Sequence, residues 1–478
     1  MSRPDVKYKT IKGYVPIGLP PIEELAEESG LNGDRFIVFF HQWYMTRLLQ
    51  MSSEKIRETE MHIQGWAALH SDLLERSVGS DYKRWVEFLE KKRIIQLRRD
   101  PITGRVKYNP GKRSVQYRIS PEMFMGEDIE RYRKETITDH RTLHAIIKLK
   151  EMKRLEQIER AVLDLNCMRL NEMMTKVKFD LPSARMFLDQ VVKGKIKIRK
   201  TKKGGERNYA DMLLQMQAFN EGLSRPVLKD KFGERFHTVF TSLWKPLRPF
   251  IRLDGSDEAP GVTDIANSQP YFSSIAINPN LIEQILPEFK ACIPVLQKLK
   301  GMPDYELFAK LCAEGSLYEH WMSLRGMTKE ERDDAKEEIF RNMFSKNRMP
   351  NKMRYGKPNP EYVMRSMFKE EFPSVAKAFQ IIKSMSEKEL PFIENLFLDK
   401  KGVFEGKKGY HKSLAAMMQK MESRIFLGRI VPRLLKLGIG PFLTVHDSVI
   451  MKPEYLKLVE DEIRSEFLAL GVHPPKLK

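Results

Sequence analysis

Two aspartates carry the chemistry this sequence suggests. Asp447 follows His446 in "FLTVHDSVIMKP" (442–453), between two apolar runs that alternate like strands, so the pair reads as the tip of a tight hairpin. Asp and Ser also favour turns through hydrogen bonds to their own backbone, and a turn role alone accounts for this stretch taken by itself. Asp264 lies in "APGVTDIANSQPYFSSIAI" after a short apolar approach, with Pro270 placed where a helix could begin. Its plain role is a cap or turn residue at a strand-to-helix junction. The chemical alternative requires both carboxylates to converge on one pair of hard cations. Mg²⁺ prefers oxygen ligands and is often held by one or two carboxylates plus substrate phosphates. Two such ions about 4 Å apart activate an attacking hydroxyl and stabilise a leaving oxygen.

Between the aspartates, "MTKEERDDAKEEIFRNMFSKN" spaces Arg332, Lys336, Phe340 and Phe344 four apart, along one slowly drifting stripe of a helix. Two cations followed by two aromatics suit a nucleoside triphosphate, with charge for the phosphates and apolar faces for sugar and base. The plain alternative is an amphipathic helix whose Phe residues are core and whose cations are solvated.

The elements that must position these residues follow from pattern. Residues 20–78 read as amphipathic helical segments. "SDYKRWVEFLEKKR" reads as a short helix, followed by strands "IIQLRRD", "RVKYN" and "VQYRIS" with turns between them. That order suggests a winged-helix-like unit, a shape that docks DNA or merely packs. Long helical periodicity runs through 130–192, above all in "HRTLHAIIKLKEMKRLEQIERAVLDLNCMRLNEMMTKV". A basic run, "VVKGKIKIRKTKKGGER", has eight basic residues against one acidic. Its Lys193, Lys195, Lys197 and Arg199 alternate, and in an extended chain would project along one edge as a phosphate-tracking loop. The Pro/Asn/Lys-rich stretch 346–362 reads as an irregular excursion.

The bulk numbers fit. The 478 residues, 41% hydrophobic and 31% charged, describe a globular chain of two to four domains. A net charge of +19 favours polyanions, with nucleic acid first and an anionic membrane surface second. No apolar run reaches a membrane span and the N-terminus lacks a signal-peptide core, so an intracellular, cytoplasmic protein without membrane association is expected. Cys167, Cys292 and Cys312 are widely separated and odd in number, which argues against a disulfide framework or zinc site and for reduced packing residues.

The ordered set resembles a known family. Asp264 in "DIANSQP", the Arg332/Lys336/Phe340/Phe344 stripe and "VHDS" at 445–448 resemble motifs A, B and C of family A DNA polymerases and of their single-subunit RNA polymerase relatives. "ERFHTVFTSLWKPLRPFIRLDG" resembles the stretch before motif A, whose arginine, here Arg235, lies near the primer terminus. "EEFPSVAKAF" resembles the segment after motif B. "MMQKMESRIFLGRIVPRLL" resembles the helix before motif C, whose glutamine, here Gln419, approaches the nascent duplex. The likeness covers roughly residues 230–478. It implies an α+β right-hand polymerase fold with a palm, fingers (about 281–395) and a helical thumb over 130–229 that includes the basic loop 193–203. The winged-helix-like domain would occupy 1–129.

The resemblance implies roles. Asp264 and Asp447 would hold two Mg²⁺ ions, or Mn²⁺ in their place. Arg332 and Lys336 would neutralise the triphosphate, and His446 would touch the primer. Lys193, Lys195 and Lys197 would grip duplex phosphates. The partners would be primer-template DNA and dNTPs. Departures from the family pattern matter. Phe344 is followed by Ser345 where a Tyr-Gly pair is usual. Gln269 replaces the glutamate that gates against a ribose 2′ hydroxyl, and remains bulky enough to favour dNTPs. Ser448 in place of glutamate leans toward the RNA polymerase side. The N-terminal half shows no acidic-cluster signature of a proofreading exonuclease, so none is expected. A compact polymerase fused to such a front unit fits a phage or plasmid replication protein. A primer-independent RNA polymerase or primase-like enzyme and a non-catalytic DNA-binding initiator are the alternatives.

Overall fold

Phe36, Phe39, Phe40, Trp43 and Tyr44 recur along one helix, Gly33–Met51, and all are buried. Around them the first of two units in the chain assembles. The computed structural model describes residues 11–51, 65–106, 114–124, 132–148, 163–196, 209–222, 227–386, 388–390 and 409–478. Unit 1 comprises Met1–Arg160, Lys178–Val227 and Thr238–Ile251, and unit 2 comprises Ala161–Val177, Leu228–His237 and Arg252–Lys478.

In unit 1 the strand Ile11–Pro16 pairs antiparallel with Tyr132–Ile137. A three-stranded antiparallel sheet places Val115–Ile119 between Ala67–Leu69 and Ile95–Leu97, with Tyr117 opposite both Ala67 and Leu97. The helix Tyr82–Lys91 buries Tyr82, Trp85, Val86 and Leu89 at helical spacing and leaves Lys83, Arg84, Glu87 and Lys91 exposed. Its inner face meets the central helix through Phe36 against Trp85 and Phe88. Trp43 donates its indole N–H to the Tyr117 carbonyl at 3.1 Å, and Phe39 meets the Tyr117 ring edge-on at 5.8 Å. Each fully buried side chain of this kind contributes roughly 1.5–3 kcal/mol.

The expected helix and the strands at 94–100 and 115–120 are present. Within 20–78 the helix Ser71–Ser77 agrees with the helical reading, and the strand Ala67–Leu69 departs from it. Gly79, at φ +123, makes the turn into the Tyr82–Lys91 helix, where a Cβ would lie 2.2 Å from an Arg35 guanidinium nitrogen. Of the expected strand at 105–109, the Arg99–Val106 bridge is described and 107–109 lies outside the described residues.

The long helical pattern at 140–177 is not one helix. Helix covers 140–148, 149–162 lies outside the described residues, and a new helix, Leu165–Met173, starts at Asp164. The Asp164 carboxylate accepts the Cys167 N–H, an N-cap that periodicity does not reveal. The basic run is also not extended where it is described. Lys193, Gly194 and Lys195 form the turn that closes the helix Leu181–Val192, with the Lys193 and Lys195 N–H groups donating back to Asp189 and Gln190. Lys197, Arg199 and the rest of the loop to 203 lie outside the described residues.

Unit 2 is built on a three-stranded antiparallel sheet in the order Gly261–Asp264, Ser448–Met451, Leu443–Val445. The helices Ser268–Ala276 and Lys412–Ile425 pack together and are buried on nearly every face. The second runs into a π-helical turn, Phe426–Ile430. Five further helices, Pro303–Glu314, Leu317–Arg325, Arg332–Phe344, Pro360–Glu371 and Pro373–Ile382, surround an aromatic cluster in which Phe308 meets Phe372 at 5.2 Å and Phe379 at 6.0 Å. The stretch 346–362 is irregular over 346–352, as its composition suggests, and regular beyond. It holds a tight hairpin with Met353 opposite Pro358 and Arg354 opposite Lys357, followed by a helix from Pro360. Cys167, Cys292 and Cys312 are buried free thiols, and burial pushes Cys167 and Cys292 up to about 12, which fits packing residues.

Candidate active site

Strand pairing brings the two aspartates together. Asp264 ends its strand opposite Ser448, the residue after Asp447, and the Ser448 hydroxyl donates to the Thr263 carbonyl at 3.2 Å. Val445 and Ser448 face each other across the second hairpin, so His446 and Asp447 are its two loop residues, with His446 at φ +59. The Asp447 residue is half-buried, and its carboxyl is within hydrogen-bond reach of Asp264. Burial is the main cause that raises it well above the usual carboxylate range, and the charges of Glu422 and Asp264 add to the effect. The nearby Ser268 hydroxyl pulls the other way.

A third carboxylate, which sequence reading missed, stands behind this pair. Glu422 projects from the Lys412–Ile425 helix, and its side chain is 1% exposed. It accepts two hydrogen bonds from Arg235, at 2.8 and 2.6 Å. Burial raises Glu422 first of all, Arg235 opposes that, and Asp230 and Asp264 reinforce it. The signal was available in the sequence: Glu422 falls four residues after Met418 and three before Ile425, on the apolar side of its helix, where an acid requires a partner.

Arg235 is delivered by a short hairpin, Leu228–Lys229 against Phe236–His237, whose loop is tied by Asp230. The Asp230 carboxylate accepts the N–H groups of Gly233 at 2.6 Å and Arg235 at 3.1 Å, and lies 2.7 Å from His237 Nε2. The His237 ring sits edge-on to that of His446, 5.5 Å between centroids. Gln419 packs onto the same loop, where a Cβ on Gly233 would lie 2.5 Å from its side-chain oxygen. Next along the chain, burial alone would raise Glu234, but Arg424 and Lys420 bring it down to about 2. Glu288 joins that cluster through Arg424 at 2.7 Å. Asp264, Asp447, His446, Arg235 and Gln419 therefore share one connected polar region with Glu422, Asp230 and His237.

Gln269 lies in the first turn of the helix that follows Asp264 and is half-buried. Arg332, Lys336, Phe340 and Phe344 do share one face of the Arg332–Phe344 helix. The buried residues of that helix are Ala335, Ile339, Asn342 and Met343, so the two Phe are half-exposed and the two cations exposed. This differs from the amphipathic alternative, which put the Phe residues in the core. Arg332 pairs with Glu319 at 2.9 Å and lies 5.2 Å over the Tyr318 ring, Lys336 lies 5.4 Å over Phe340, and Phe340 meets Phe344 edge-on at 5.8 Å. The helix packs on Lys412–Ile425, the helix that bears Gln419 and Glu422. Lys193 and Lys195 are exposed in unit 1.

Among the described residues, no group of three or more His, Cys, Asp or Glu is arranged to hold a metal ion. The facing pair Asp264 and Asp447 nonetheless fits a hard divalent cation. Two carboxylates this close repel when both are ionised, and a cation with oxygen preference, completed by water or phosphate, relieves that repulsion. No helix among the described residues is long and apolar enough to cross a membrane.

No family model matches the chain, and no curated protein matches it. Among solved structures, the POL domain of Pol1 from M. smegmatis in complex with DNA primer-template and dNTP is similar at 12% identity and a TM-score of 0.37, over 70% of this chain and 73% of that one.

Proposed function

We propose that the chain is a template-directed DNA polymerase that adds dNTPs to a primer 3′ end, and that unit 2 provides its palm and fingers. The observation that carries this reading is the meeting of Asp264 and Asp447 at adjacent strand ends, within hydrogen-bond reach of each other. Bound between these carboxylates, two Mg²⁺ ions would activate the primer hydroxyl and stabilise the leaving oxygen. The chain's own groups do the positioning. Asp264 at a strand end and Asp447 in the adjoining tight turn hold their oxygens in place, and the Glu422 clamp fixes Arg235 beside them. The exposed Arg332 and Lys336 offer charge to a triphosphate, while Phe340 and Phe344 present apolar faces to sugar and base. Gln269 stands five residues past Asp264, where its bulk would exclude a ribose 2′ hydroxyl. Lys193, Lys195 and Lys197 belong to a thumb-like region that grips duplex phosphates.

The helices Ser71–Ser77 and Tyr82–Lys91 with the three-stranded sheet of unit 1 support a winged-helix-like reading of the front region, over 1–129. The absence of an exonuclease and service to a mobile element complete the proposal.

One observation favours a second reading, a primer-independent RNA polymerase or primase-like enzyme. Ser448 is buried and its hydroxyl is engaged with the Thr263 carbonyl, so it brings no further carboxylate to the pair. Incorporation with dNTPs and with rNTPs, on primed and unprimed templates, separates the two. Extension of a DNA primer by wild type, lost in Asp264→Ala and Asp447→Ala with DNA binding retained, is the expected result. Equal extension by either variant overturns it. Incorporation of rNTPs on unprimed template establishes the second reading, and none under any condition leaves a DNA-binding initiator. Neutralising Lys193, Lys195 and Lys197 together should flatten the log–log salt dependence of duplex affinity by about 0.9 per lost phosphate contact.

A further inference from the structure

The hairpin at 353–358 breaks a local rule. Its two loop residues, Tyr355 and Gly356, both have positive φ, +53 and +73. That backbone pattern is the two-residue turn in which Asn-Gly is favoured, and a bulky side chain at its first position is a conformational outlier. Tyr355 is nevertheless there and is 90% exposed, the Arg354 guanidinium lying 5.5 Å from its ring centroid. Strain of this kind persists only where the surroundings impose it.

The surroundings do impose it. The Lys352 carbonyl accepts the Asn359 N–H at 2.8 Å, and the Asn359 side-chain amide donates to the Asn351 carbonyl at 2.9 Å. The buried Arg365 donates to the carbonyls of Arg348 and Lys346, at 2.9 and 2.8 Å. The buried Lys383 donates to the Ser345 carbonyl at 3.1 Å. A short spur is thus rooted by the buried Arg365 and Lys383 and by an asparagine, with an aromatic ring held out at its tip. Its charge is one-sided: residues 346–358 contain five basic residues, Lys346, Arg348, Lys352, Arg354 and Lys357, and no acidic one.

We propose that this spur binds DNA where a single strand leaves a duplex, with the Tyr355 ring stacking on the first unpaired base and the flanking cations meeting the phosphates. Aromatic rings stack on any base because every base has a π-face, and apolar wedges placed at a base step part it from its neighbour. The cationic arms match the polyanion, and a rigid root lets the tip resist displacement. The inference shares with the reading above the premise that this chain binds DNA, and does not require that it catalyse.

The test uses the full chain and a forked DNA with 2-aminopurine as the first unpaired base. Wild type should change the probe fluorescence on binding. Tyr355→Asn should lose most of that change and bind the fork about tenfold more weakly. Tyr355→Phe and Tyr355→Trp should keep it, because the ring and not the hydroxyl stacks. Asp264→Asn should also keep it, and wild type that stacks but incorporates no nucleotide would refute the polymerase while leaving this inference standing. Tyr355→Asn should melt no lower than wild type, since Asn accepts positive φ, which removes misfolding as an explanation. An unchanged probe signal in Tyr355→Asn overturns the proposal. So does sedimentation with phosphatidylserine vesicles that Tyr355→Asn abolishes, which would make the tip a membrane contact.

Discussion

Unit 2 contains two hairpins with two-residue loops placed in opposite surroundings. Each puts a ring-bearing residue at positive φ, His446 at +59 and Tyr355 at +53. The first ends between buried strands, with its aspartate beside Asp264 and close to Glu422. The second is exposed along its whole length and surrounded by cations. The turns differ at their second residue, since Gly356 is at φ +73 while Asp447 lies outside the positive-φ region, but each holds a ring at a first position that favours Asn or Gly. At the inner tip the turn fixes a half-buried carboxylate whose proton affinity is raised first by desolvation and then by the charges of Glu422 and Asp264. The exposed turn holds a ring in water that folding alone would not place there.

The contrast can be broken most sharply at the inner tip. Asp447→Asn keeps the shape and removes the charge, and single-nucleotide incorporation should fall by at least about a thousandfold, or roughly 4 kcal/mol in the barrier. No substitution in the exposed hairpin should approach that. Next comes the support behind the inner tip. Glu422→Gln leaves Arg235 without its anionic partner in a mostly buried site, and urea denaturation should show a loss of roughly 3 kcal/mol.

The root of the exposed hairpin offers a pH test. Burial, helped by Arg365 and Lys369, lowers Lys383 from 10.5 to about 7. Between those values the unfolded chain binds a proton that the folded chain does not, so this group makes stability rise as pH increases from about 7 to 10.5, with its full cost felt below 7. The rise should be on the order of 5 kcal/mol by denaturant titration at several pH values, and Lys383→Met should lack it. The smallest effect compares the tips themselves. Asn at either positive-φ position relieves about 1 kcal/mol of backbone strain. Tyr355→Asn should show this as a gain in thermal stability, while His446→Asn should show a net loss because it removes the ring packed edge-on against His237.

The alternation around 442–451 and the strand-to-helix change after Asp264 were legible because they depend on residues adjacent in sequence. So was the helix that carries Arg332 to Phe344. The hairpin at 353–358 was not, since its Pro/Asn/Lys composition reads as loop and its turn has Tyr355 where Asn is preferred. The helix start at Asp164 was missed because one capping hydrogen bond outweighed a continuous apolar period.

What the sequence by itself determined is local: the tight turn that carries Asp447, the strand that ends at Asp264, the stripe of cations and aromatics, and an excess of positive charge suited to a polyanion. Tertiary structure alone decided that Asp264 and Asp447 meet, that Glu422 and Arg235 lie behind them, and that the two Phe face outward while Tyr355 stands in solvent. The reason is physical. Periodicity reports which side of an element is apolar, but proton affinity and ion pairing depend on charges within a few ångströms, and those come from segments that only strand pairing and helix packing bring together.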